Sequence, residues 1–144
     1  MICRLILLCI AVVSCLSLAS VASDAAICPA KIEVQQRLAS AVDGWAPITD
    51  DSPHQLSGIT FFDGPPSEKA SLVYDAIKKT ATEELVTWNF DSSGKRSTWM
   101  VCSYSGTAIQ LSRGLPPATK SCQVTYSRTQ RLAGMPVIAS ISCK

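Results

Sequence analysis

From residue 85 onward the chain alternates with a period of two. Val86, Trp88 and Phe90 share one side of such a repeat, and so do Met100, Cys102 and Tyr104. Runs at 85–90, 97–104, 107–112, 122–127 and 137–143 are rich in valine, threonine, isoleucine and aromatics, and Gly, Pro or Ser clusters bound each of them. This predicts the strands of an antiparallel meander. Asp91-Ser-Ser-Gly94 is expected to turn the first pair and Ser105-Gly106 the second, each with the glycine that a tight hairpin favours. One face of such strands is buried and the other is free to meet water or a partner. Trp99 and Val101 lie opposite Cys102, which leaves Trp99 either in a second layer of core or as an exposed anchor for a partner.

The amino half is less regular. Ile32 and Val34 after Cys28-Pro29 suggest one strand, and 56–62 suggests another that ends at the turn Asp63-Gly-Pro-Pro66. Ser67 with Glu68 and Lys69, followed by Leu72, Val73, Ala76 and Ile77, predicts a helix over 67–79. The fold class expected is therefore α+β, mostly β: a twisted antiparallel sheet with one or two short helices.

The first residues change what the cysteines mean. Arg4, an apolar run at 5–13 and the small residues of Ser17-Leu-Ala-Ser-Val-Ala-Ser23 are laid out as a secretory signal peptide, with cleavage after Ala22 or Ser23. Val12-Val-Ser-Cys15 also resembles a lipoprotein box with Cys15 as the lipidated residue, but that processing would leave an unusually short leader. Residues 24–144 then form one domain outside the cytoplasm, in the periplasm, and their roughly 120 residues are enough to bury about two thirds of the unfolded surface. Of seven cysteines, Cys3, Cys9 and Cys15 belong to the leader, leaving Cys28, Cys102, Cys122 and Cys143. An even number in an exported chain points to disulfides. Four cysteines allow three connectivities, among which sequence alone does not choose; the pairs expected are Cys102 with Cys122 and Cys28 with Cys143, the second tying together the two ends of the mature chain.

All eleven acidic residues fall between Asp24 and Asp91, whereas Lys95, Arg96, Arg113, Lys120, Arg128, Arg131 and Lys144 follow with no acid among them. Such asymmetry suggests a positive region that steers an anionic partner, unless folding mixes the charges. Lys95, Arg96, Trp99, Arg113, Lys120, Arg128 and Arg131, with Asp63 and Gly64 of the turn, are the candidate partner contacts.

Chemistry fares worse than binding. His54 is the only histidine; it sits in a polar stretch, and no Gly-x-Ser-x-Gly elbow accompanies it. Cys102 in mid-strand has neither a helix amino terminus nor a neighbouring base to lower its pKa. Glu83 and Glu84 are adjacent on a strand and point to opposite faces, so they do not flank one glycosidic bond. No close Cys-x-x-Cys or His pair suggests a metal, no glycine loop cradles a phosphate, and the bases lack the interleaved aromatics that single-stranded nucleic acid needs. No enzyme, cofactor, metal or nucleic-acid partner is expected.

The ordered series Cys28-Pro29, Gly44-Trp45, His54-Gln-Leu56, Phe62-Asp-Gly-Pro-Pro66, Ser71-Leu72, Trp88, Cys102-Ser-Tyr104, Gly106-Thr107, Leu111, Leu115-Pro116, Cys122 and Cys143-Lys144 resembles a family of small, uncharacterised exported proteins of Gram-negative bacteria. Some of these are encoded near type VI secretion genes, where small periplasmic proteins serve as immunity factors. The resemblance implies an immunity protein that blocks the active site of a secreted, peptidoglycan-targeting toxin, such as an L,D-transpeptidase-like enzyme with a cysteine nucleophile. It supplies no catalytic residues. Two other readings remain open: a lysozyme inhibitor, and an envelope ligand-binding protein or cell-wall enzyme.

Overall fold

The alternating runs fold as strands, but they divide between two sheets. The structure, a computed structural model, describes residues 28–91 and 96–144; the expected leader, the Cys15 box and Lys95 lie outside the described residues. The first sheet holds β1 (Lys31–Ile32), β2 (His54–Asp63), β5 (Thr98–Tyr104) and β6 (Gln110–Gly114), in that order across the sheet. The second holds β3 (Ala76–Lys79), β4 (Glu83–Asn89), β7 (Ser121–Leu132) and β8 (Met135–Cys143). Every pairing is antiparallel.

The faces that alternation assigned to the interior do lie there. Ile59 and Phe61 of β2 with Met100, Cys102 and Tyr104 of β5 oppose Val86, Trp88, Cys122 and Val124 from the other sheet, and Phe90 just past β4. Phe61 is the hinge of this packing, its ring centroid 5.0 Å from that of Trp88 and 5.3 Å from that of Phe90, both in tilted contacts that suit the aromatic quadrupoles. The outer face of the second sheet is mostly polar: Thr87, Gln123, Thr125, Ser140 and Ser142 line it by register, with Leu85 and Ala76 among them, in keeping with a half-solvated antiparallel sheet.

Three expectations are corrected. First, Asp91-Ser-Ser-Gly94 does not close a hairpin. β4 pairs with β3 and β7 while β5 pairs with β2 and β6, so the chain crosses between sheets there and the meander is broken. Ser105-Gly106 does connect a pair, with Gly106 at φ +76, though β6 begins at Gln110 rather than at 107.

Second, 67–79 is not a helix. Pro66–Glu68 forms a single 3-10 turn that ends at Lys69 in a left-handed conformation (φ 58), after which Leu72 N–H bonds to the Phe61 carbonyl (2.7 Å) and Ala76–Lys79 pairs with β4. The apolar spacing that fits one helix face also fits a chain laid along two strand edges, and pairing decided between them.

Third, the disulfides join Cys28 to Cys102 (Cα–Cα 5.8 Å) and Cys122 to Cys143 (Cα–Cα 4.1 Å). The sheet crossing puts Cys102 and Cys122 in different sheets. Cys122 and Cys143 are instead direct cross-strand partners on β7 and β8.

Between β1 and β2 the chain runs from 33 to 53 without strand or helix. Its two ends are adjacent, because Ile32 pairs with His54. We refer to this segment as the strap.

Candidate partner-binding surface

The bases singled out in the sequence do not form one patch. Arg96 is spent on the fold: its guanidinium pairs with Glu68, lies 3.3 Å from the Asp63 carboxylate, and donates to the Asp63 carbonyl at 2.6 Å. The hydrogen bond to Glu68 raises Arg96 above the usual guanidinium range. Gly64 makes room for this arrangement. It sits at φ +95, and a Cβ there would lie 2.0 Å from Arg96 Nη2. Asp63, Gly64 and Arg96 are thus brought together as a clamp on the turn after β2. Trp99 is half-buried, its indole lying over Gly114 on β6; Val101 beside it is only 4% exposed. Arg113 on β6 and Lys120 before β7 are exposed.

Arg128 and Arg131 do converge, toward the turn end of the β7–β8 hairpin. That hairpin turns through Ala133 (φ 48) and Gly134 (φ 82), the paired positive angles of a twist-matched two-residue turn. Together with Lys79, Glu84, Tyr126, Ser57, Met135 and Pro136 the two arginines line a cleft of about 490 Å³. Lys79 bonds to Glu84 at 3.0 Å, and Arg128 donates to the Thr80 carbonyl. Burial first, and then the Glu84 charge, push the Tyr126 hydroxyl above its usual pKa. Three cations against one carboxylate leave this cleft positive, suited to an acidic side chain of a partner. Lys79 was missed in the sequence, since its place in an expected helix gave no reason to set it beside Arg128.

A second and larger cleft, of about 680 Å³, opens on the other side of the hairpin tip. The strap residues Gln36, Arg37, Leu38, Ile48 and Asp50 line it with His54, Ser105, Gly106 and Ala133. His54 stands at the start of β2, half-buried, with Nδ1 2.7 Å from the Ser105 carbonyl oxygen, so this nitrogen carries the proton and donates. Gln36 Nε2 donates to the Gly106 carbonyl at 3.3 Å and lies 3.5 Å from His54 Nε2. Here His54 ties the strap root to the β5–β6 turn. Glu83 and Glu84 face opposite sides of β4, opposite Ser127 and Tyr126 respectively. Among the described residues no group of three His, Cys, Asp or Glu side chains could hold a metal ion.

The end of the sandwich built from the strap root, the β5–β6 turn and the β7–β8 tip therefore gathers two clefts, the four cations Arg37, Lys79, Arg128 and Arg131, and exposed Leu38, Ile48, Leu132 and Met135. The family model described as Type VI secretion system Tli immunity protein matches residues 50–144, the span that contains β2 to β8 and the hairpin cleft. The chain belongs to this family. No curated protein and no solved structure matches it. An immunity protein implies a protein partner, the toxin it neutralises, and the two disulfides suit an oxidising compartment. Among the described residues no helix is long and apolar enough to cross a membrane.

Proposed function

We propose that this immunity protein works in the periplasm, as a stoichiometric cap that covers the active site of a secreted toxin through the strap and hairpin end of the sandwich. The observation that carries the reading is the convergence of Lys79, Arg128 and Arg131 with exposed apolar side chains at one end of a doubly bridged scaffold. A rigid scaffold loses little conformational freedom on binding, and its positive cleft speeds capture of an acidic surface. The mode of action is binding, not catalysis. The target is a toxin that attacks the cell envelope, and the class expected is a peptidoglycan-cutting enzyme, including L,D-transpeptidase-like effectors.

The test is co-expression of the exported protein with the secreted toxin encoded beside its gene, the toxin being directed to the periplasm. Survival, a 1:1 complex on gel filtration and protection of purified peptidoglycan support the proposal. Continued lethality sinks it. Survival with an intact wall but rescued phospholipid would move the target from peptidoglycan to the membrane.

A further inference from the structure

The strap carries four large apolar side chains that the fold does not use. Leu38, Val42, Trp45 and Ile48 are exposed, Trp45 by 78% and Ile48 by 98%. Apolar area left in water forfeits about 25 cal/mol per Å² of stabilisation, so a segment serving only to join β1 to β2 would have no use for a tryptophan there. Connections this long without secondary structure are uncommon in compact folds, and those that occur are usually binding loops or lids. This one is also held at its root. The Cys28–Cys102 bridge, the Ile32–His54 pairing and the Gln36 bond to Gly106 fix where it leaves and rejoins the sandwich.

Where the family match begins adds an independent observation. Residues 50–144 are matched; Leu38, Val42, Trp45 and Ile48 all precede that span. The matched span holds β2 to β8 and the residues of the basic cleft, together with the last strap residues, 50–53, whereas the four exposed apolar side chains lie before it. The strap also differs in charge from the cleft beside it. Glu33, Asp43, Asp50 and Asp51 outnumber Arg37, and hydrogen bonds from Ser52 hold Asp50 below the usual carboxylate range.

We propose that the strap selects the toxin: Trp45 and Ile48 enter an apolar cleft on the cognate toxin, and the strap carboxylates face a basic rim around that cleft. This rests on the toxin-capping role proposed above. Tryptophan is the side chain that most often dominates interface energies, and a loop fixed at its root presents it with little ordering cost. The shared sandwich then sets the pose, and the strap decides which toxin fits.

The experiment uses the oxidised mature protein against the immobilised catalytic domain of the toxin encoded beside its gene. Trp45→Ser with Ile48→Ser should weaken binding by about 100-fold, mainly through faster dissociation, with an unchanged melting temperature. Val73→Ser, at a position 80% exposed but outside the strap, should change affinity by less than about twofold if location rather than exposure matters. Wild-type binding retained in the strap variant would overturn the selection role while leaving toxin capping intact. Absence of binding by the wild-type protein would overturn both. Sedimentation completes the set: a monomer is expected, and a dimer of the free protein lost on Trp45→Ser would show that the strap meets a second copy of the chain instead.

Discussion

The Tyr104 hydroxyl donates to the Pro29 carbonyl at 3.1 Å, one residue beyond the cysteine that bridges to Cys102. Two bonds, one covalent and one not, therefore hold the same point of the amino-terminal segment against β5. The pair is the root of the strap, and its loss should be felt both in stability and in toxin binding. Cys28→Ser with Cys102→Ser should cost about 4 kcal/mol, since the bridge closes a loop with a sequence separation of 74, and Cys122→Ser with Cys143→Ser about 3 kcal/mol for a separation of 21. Tyr104→Phe should cost about 1 kcal/mol. Urea unfolding of the three variants checks the order.

Gly64→Ala should destabilise by about 1–3 kcal/mol, because it puts a side chain on a backbone at φ +95 and drives Arg96 Nη2 off the Asp63 carbonyl. Arg96→Ala alone should cost less, since its ion pairs are exposed. A larger loss for Arg96→Ala than for Gly64→Ala would contradict this account of the turn.

Alkaline pH should weaken the fold through its tyrosines. Burial raises the hydroxyl pKa of Tyr104 and of Tyr126 above the ordinary 10.0, so the native state holds protons that the unfolded chain releases. Their contribution is complete below pH 10 and falls as pH rises through the folded values. Tyr126→Phe should flatten the decline in urea midpoint as pH rises above about 10, relative to wild type. An unchanged slope would remove Tyr126 as its source.

Reversing Arg128 and Arg131 to glutamate should slow association with the toxin by about tenfold or more and reduce its salt dependence, with a smaller change in dissociation. Stopped-flow rates at two ionic strengths separate this from an effect on folding. The strap variant described above should do the opposite, acting on dissociation.

What could be read in the sequence was orientation; what could not was partnership. Val86, Trp88, Phe90, Met100, Cys102 and Tyr104 are buried because alternation is a local property that survives any choice of neighbour. Which strands pair is decided by contacts distant in sequence, and no residue between 91 and 97 announces a change of sheet. The Cys122–Cys143 pair was nearly legible from the Ala133–Gly134 turn, but an unbroken register from that turn would set Cys143 opposite Val124. Irregularities between Thr125 and Arg131 take up the difference. For the site, Arg128 and Arg131 were visible as bases, whereas Lys79 needed the β3–β4–β7 order to join them. Trp45 and Ile48 lie in a stretch with no period, and its clue was an apolar content too high for a connector.

The two bridged loops do not overlap along the chain: residues 28–102 close one and 122–143 the other. Among the described residues each cysteine thus joins the next one along the chain. An oxidant that couples thiols in their order along the chain makes the native pairs directly, and the protein is ready to meet its toxin without a round of disulfide reshuffling.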